Sequence, residues 1–221
     1  FAVYLTALPL IIPAVMMRFP NRPPQVAGQR PRFVAIFPVL VLVFLCMTSF
    51  YLIPVQVPFL VQNVLQSGPL AAGTLIASGS LASALTAALL FRRLLAKLGP
   101  PRIAATAILL TGAGLAIIGL SYAQWPGLIA GVLLAGIGAG LAMPLGAAWI
   151  TRRVVPSARG RALGSLTAAV FLGQFFSPLL VAPLLPYGTA VAFYAIAGLC
   201  LVVGLWMALL RPANADVNAA A

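Results

Sequence analysis

From Phe33 to Phe91 the sequence contains no Asp, Glu, Lys or Arg. A surface helix of a soluble protein carries charge along one face, so a stretch this long without any excludes an ordinary soluble fold. The whole chain agrees, at 63% apolar and 6% charged residues, where soluble domains have roughly 45–50% and about 25%. Intrinsic disorder is excluded by the same figures, because so apolar a chain does not stay open in water. What remains is a polytopic membrane protein. The chain has one acid, Asp216, and no histidine. Zinc ligation, a catalytic triad and paired acid/base chemistry all need residues it lacks. The expectation is therefore no enzyme, no catalytic residue, no metal and no cofactor. Cys46 and Cys200 lie far apart in apolar runs and read as packing thiols.

A bilayer core of about 30 Å takes about 20 apolar residues per helix. Seven stretches qualify, at residues 1–17, 33–61, 70–91, 103–121, 126–150, 164–185 and 190–210. The first is short and reads as a partial transmembrane helix ending a missing preceding segment. Residues 18–32, with Pro20, Pro23, Pro24 and Pro31, read as an irregular cytoplasmic linker. Residues 33–210 then form a six-helix bundle, and 211–221 a short cytoplasmic tail. Barrel strands would alternate apolar and polar residues. The run from Pro38 to Cys46 is apolar on every face, so the expected fold class is all-α.

The cations set the orientation. Arg18, Arg22, Arg30 and Arg32 fall between the first and second stretches, and Arg92, Arg93, Lys97 and Arg102 between the third and fourth. Arg152, Arg153, Arg159 and Arg161 fall between the fifth and sixth, and Arg211 follows the seventh. The intervening connectors have no Lys or Arg. All thirteen cations thus belong to one side, which the positive-inside rule makes cytoplasmic, with the C-terminus inside. A net charge of +12 in a soluble domain would suggest nucleic acid. Divided into membrane-flanking clusters, it does not.

Small residues recur at helical spacing. Gly79, Ser83 and Ala87 form one stripe; Gly127, Gly131, Ala135 and Ala139 form another, with Gly136 and Gly140 beside it; Ala169, Gly173 and Ser177 form a third. Such stripes let membrane helices approach closely. At Gly131 and Gly173 the expected contact leaves room for little more than a methyl group. Pro54 and Pro58 break the second stretch around Gln56, Pro144 bends the fifth, and the sixth carries Thr167, Gln174 and Pro178 on roughly one face. An unpaired amide in hydrocarbon is costly. Gln56 and Gln174 therefore face protein or water, either as helix–helix hydrogen bonds or as polar points on a cavity.

Three segments resemble a known family. Residues 66–73 are similar to the turn and start of the eighth helix of a major facilitator superfamily transporter. Residues 94–102 resemble its cytoplasmic signature loop. There Lys97, Gly99 and Arg102 match basic and glycine positions and Arg92 and Arg93 lead in, while Ala96 stands where an acid is usual and Arg92 where a glycine is usual. Residues 156–164, running into 171–178, resemble its eleventh helix. The chain as a whole resembles the C-terminal half of such a protein, most similar to bacterial drug- or sugar-efflux permeases. The resemblance implies helices six to twelve of a transporter whose two halves rock around a midplane site, in the bacterial inner membrane. It implies as partners the bilayer, a missing N-terminal half, a small-molecule substrate and a coupling proton. The substrate is expected to be lipophilic or amphipathic, along a pathway bearing Tyr51, Gln56, Thr167 and Gln174. Two other readings stay open, a self-assembling transporter or channel subunit and a non-transporting membrane scaffold.

Overall fold

The structure is a computed structural model that describes residues 33–121 and 124–209. The expected partial span 1–17, the linker 18–32 and the tail 211–221 lie outside the described residues. Every described element is helical. Helix α1 spans Phe33–Phe59 and ends in a wide π turn, Leu60–Val64. Helix α2 (Pro69–Leu85) passes through a second π turn, Thr86–Leu90, into α3 (Phe91–Leu120). Helix α4 is Trp125–Arg153, α5 is Arg159–Val181, and α6 is Thr189–Leu209. Pro69 at the start of α2 and Pro126 at the start of α4 sit where a missing N–H costs nothing.

Five helical stretches are long and apolar enough to cross a membrane. One of them, Pro69–Leu120, has 52 residues, more than twice what one crossing needs. It is two crossings joined at Gly99, whose φ of 74° and ψ of 166° lie in a region only glycine occupies without strain. Pro100 and Pro101 follow at once, so the chain turns there and restarts as a helix. The separate stretches expected at 70–91 and 103–121 are thus both present, but helix continues through the basic segment between them. Arg, Lys and Leu are good helix formers, and a count of apolar residues does not register that. For the same reason α4 runs to Arg153 and α5 begins at Arg159, ahead of the expected Gly164.

Backbone contacts give the directions. On one side of α4, Gly136 meets the Gly79 carbonyl of α2 and Gly140 meets that of Ser83, so α4 and α2 run parallel. On its other side Gly131 meets Gly114 and Ile118, and Gly138 meets Ala107 and Thr111, so the second half of α3 is antiparallel to α4. Helix α6 covers the far side of α3, also antiparallel, with Gly119 against Tyr194, Gly112 against Cys200 and Gly204 against Leu109. Helix α5 packs on α1, where Gly173 meets the Phe44 carbonyl. The Ser49 hydroxyl of α1 and the Cys200 thiol of α6 share a hydrogen bond of 3.0 Å.

A Cβ placed on Gly131 would stand 2.6 Å from the Gly114 oxygen, and one on Gly173 would stand 2.6 Å from the Phe44 oxygen. The methyl group expected to fit at these positions therefore does not. Both obstacles are helix backbone, which cannot swing aside as a side chain can.

These directions bring Arg92, Arg93, Lys97, Arg102, Arg152, Arg153, Arg159 and Arg161 to one end of the bundle. The uncharged connectors lie at the other. Arg153 stacks 4.4 Å from the centre of the Trp149 ring, a cation–π contact, and Arg159 Nε donates to the Val154 carbonyl at 3.1 Å. Cysteines introduced at Ser67, Gln124 and Gly188 are expected to react with an impermeant maleimide in intact cells, and those at Ala96, Ser157 and Ala213 only after lysis. Cys46 and Cys200, at 0% and 1% exposure, leave little background. The reverse labelling overturns the orientation.

Candidate functional site: a cleft among four helices

Helices α1, α2, α4 and α5 enclose an open cleft of about 440 Å³, within the range of small-molecule sites. Two of its walls exist because glycine lets α2 and α4 meet. Gly79, Ser80 and Ser83 of α2, Ala87 of the π turn that follows it, and Ala139 and Gly140 of α4 keep that side shallow. The α1 wall is bulkier, with Met47, Phe50, Tyr51 and Pro54, and Met143 and Pro144 extend the α4 wall. Gln174 is the α5 contribution. No lining residue is charged. The surface combines thioethers and aromatic rings, which adapt to varied apolar shapes, with a phenol, an amide and hydroxyls that fix orientation.

The prolines add a less visible feature. Proline has no N–H, so the carbonyl four residues earlier loses its intrahelical donor. Pro54, Pro144 and Pro178 release the carbonyls of Phe50, Gly140 and Gln174 respectively. All three of those residues line the cleft. Broken helices with free carbonyls are tolerated in membranes where they border protein or a cavity. The lining hydroxyl of Ser80, by contrast, donates to Ile76 O at 3.2 Å in its own helix, keeping only acceptor capacity for anything else.

The expected pathway residues separate. Tyr51, 36% exposed, and Gln174 line the cleft together. Gln56 is only 6% exposed and does not line it. Thr167 is exposed, two turns below Gln174, with its hydroxyl donating to Leu163 O at 3.2 Å; it does not line the cleft either. Of the expected packing and hinge positions, Pro54, Gly79, Gly140 and Pro144 border the cleft, whereas Gly131, Gly136 and Gly173 lie in helix seams and Pro58 is half-buried beyond it. Sequence reasoning missed Met47, Phe50, Ser80 and Met143, and read Ser83 only as part of a packing stripe. Subtracting four from each proline position would have found Phe50 and Gly140. Nothing in the sequence marks Met143.

At the basic end a smaller cleft of about 290 Å³ brings Arg92 and Arg152 together with Leu95, Ala96 and Pro100. The signature-loop residues Arg93, Lys97 and Arg102 are exposed around it, and Gly99 is the turn itself. Ala96 shares the cleft with the two arginines and supplies them with no counter-charge. Among the described residues no group of His, Cys, Asp or Glu could hold a metal ion.

No curated protein matches the chain. The family model described as Major Facilitator Superfamily matches residues 39–221, which takes in all of the cleft and the whole basic end. The chain belongs to the Major Facilitator Superfamily, whose proteins are membrane transporters and not enzymes.

Proposed function

We propose that this chain is one half of a secondary active transporter that exports small lipophilic or amphipathic solutes by alternating access. The observation that carries the reading is the uncharged, apolar-walled cleft among α1, α2, α4 and α5. It is supported by prolines four positions after three of its lining residues, each of which removes a helical donor. A lipophilic body suits Met47, Phe50 and Met143, and a hydrogen-bond donor on the same molecule suits the carbonyls and Gln174. A phosphorylated or carboxylated solute finds no cation in the cleft and is disfavoured by the acceptors. In this reading the other half of the pathway comes from an N-terminal half of the same protein. The protein resides in a bacterial inner membrane with its C-terminus in the cytoplasm. The coupling ion is a proton, and because the described spans contain no carboxylate, the group that carries it belongs to the other half.

The test is efflux of a broad panel of amphipathic compounds from cells expressing the complete reading frame. At least one compound is expected to be retained less than in cells lacking the protein, and collapse of the proton gradient is expected to abolish the difference. Equal retention of every compound overturns the export reading. Export that survives the collapse overturns proton coupling alone.

A further inference from the structure

We infer that the Arg92–Arg152 cleft holds the headgroup phosphate of an anionic membrane lipid. The two arginines come from different helices, Arg92 from the start of α3 and Arg152 from the last turn of α4, and they converge on one cleft. Their like charges repel across the cleft, and an anion held there relieves that repulsion. Of the other cations at this end, Arg153 lies on the Trp149 ring and Arg159 donates to the Val154 carbonyl. The side chains of Arg93, Lys97, Arg102 and Arg161 have no partner among the described residues but do not line this cleft. Arg92 and Arg152, which do line it, have none among the described residues. Among the described residues there is no carboxylate either, the acid of the chain being Asp216. The planar guanidinium binds phosphate oxygens in pairs, and basic pockets between helices on the cytoplasmic side of a membrane are suited to lipid headgroups.

The lipid, rather than a free phosphate, follows from what adjoins the cleft. Leu85 and Leu89 lie shortly ahead of Arg92, on either side of the start of the π turn, and are 48% and 63% exposed, so apolar surface adjoins the charge. Leu95 and Pro100 supply an apolar wall to the cleft itself. A headgroup between the arginines thus leaves its acyl chains against leucine. This inference is independent of what the central cleft transports.

The complete protein, purified in a neutral detergent, is titrated with phosphatidylglycerol, phosphatidylcholine or inorganic phosphate while its thermal midpoint is followed. Phosphatidylglycerol is expected to raise the midpoint, and the other two to leave it within error. In the R92Q/R152Q variant the phosphatidylglycerol concentration giving half the shift is expected to rise about 30-fold, from two lost charge contacts. An R93Q/R161Q variant, with the same change in net charge, is expected to shift it less than threefold. If R92Q/R152Q does not fold, R92K/R152K retains the charge without the planar fork and is expected to raise the concentration severalfold. Equal stabilisation by inorganic phosphate overturns the lipid assignment. Equal effects of the two glutamine variants overturn the site in favour of diffuse attraction. A midpoint lowered without lipid, together with an unchanged phosphatidylglycerol titration, assigns the arginines to a carboxylate elsewhere in the protein and also overturns it.

Discussion

Replacing Gly131 with leucine is expected to deplete the folded protein from the membrane, and replacing it with alanine to lower the thermal midpoint measurably. The Cβ of either residue would stand 2.6 Å from the Gly114 oxygen and 3.0 Å from the Ile118 nitrogen. Overpacking against yielding side chains costs about 1–3 kcal/mol. Here the obstacle is the backbone of α3, so alanine belongs in that range and leucine above it. Helix propensity acts in the opposite direction, favouring alanine over glycine by about 0.8–1.0 kcal/mol, and is outweighed by the collision. Gly198 provides the contrast. Nothing lies within 4 Å of a Cβ built there, so alanine at Gly198 keeps the propensity gain and is expected to leave the midpoint unchanged or raise it. The two substitutions are chemically identical and differ only in what stands opposite. Should both move the midpoint by the same amount, α3 and α4 are not in backbone contact at Gly131.

Replacing Gln174 with leucine is expected to cut transport by roughly 5- to 30-fold at normal membrane abundance, the loss of one or two hydrogen bonds worth about 1 kcal/mol each. Leucine has nearly the volume of glutamine, and Gln174 is half-buried at the cleft without a hydrogen-bond partner among the described residues. Its removal therefore breaks no internal hydrogen bond. Leucine at Gln56, which is nearly buried away from the cleft, is expected to affect abundance first and transport only in proportion. Pro178→Ala separates the side chain from the backbone, because it returns a donor to the Gln174 carbonyl and leaves the amide in place. Unchanged transport in Q174L removes Gln174 from the pathway, and parallel losses of abundance and transport make it a packing residue.

The membrane spans could be read from the sequence because they answer to the bilayer alone. Each stretch has to be long and apolar whatever its neighbours are, and each basic cluster has to stay out of the hydrocarbon. Gln56 and Gln174 looked equivalent for the opposite reason. Both are single amides in proline-broken helices, and which one borders a cleft depends on the rotation of α1 and α5 against helices far away in the chain. The glycines of α4 show the same limit. A stripe through Gly127, Gly131 and Ala135 was visible, with Gly136 and Gly140 beside it. That one set serves α3 and the other α2 is a property of the assembled bundle. Gly99 falls between these cases. Its place ahead of two prolines marks a break, but the helical continuation of α3 on either side of it is set by propensity in a segment that hydropathy treats as loop.

The hydroxyls of the bundle bear on how such a chain is made. Thr48 donates to Phe44 O at 2.8 Å, Ser78 to Leu75 O at 2.7 Å, Thr106 to Arg102 O at 2.8 Å, Thr111 to Ala107 O at 2.8 Å and Ser165 to Arg161 O at 3.1 Å. Every one of these bonds stays within a single helix. A span leaving the translocon with its hydroxyls bound to its own carbonyls exposes no unsatisfied donor to lipid. Helices α2 and α3 meet across α4, which the ribosome delivers after both. They therefore wait in the bilayer without that partner during synthesis, and their internal hydrogen bonds leave fewer donors open to lipid in the interval. Ser177 differs, with a buried hydroxyl that has no partner among the described residues. It belongs to α5, a helix that emerges only after α1, the neighbour it packs on, is already in the membrane.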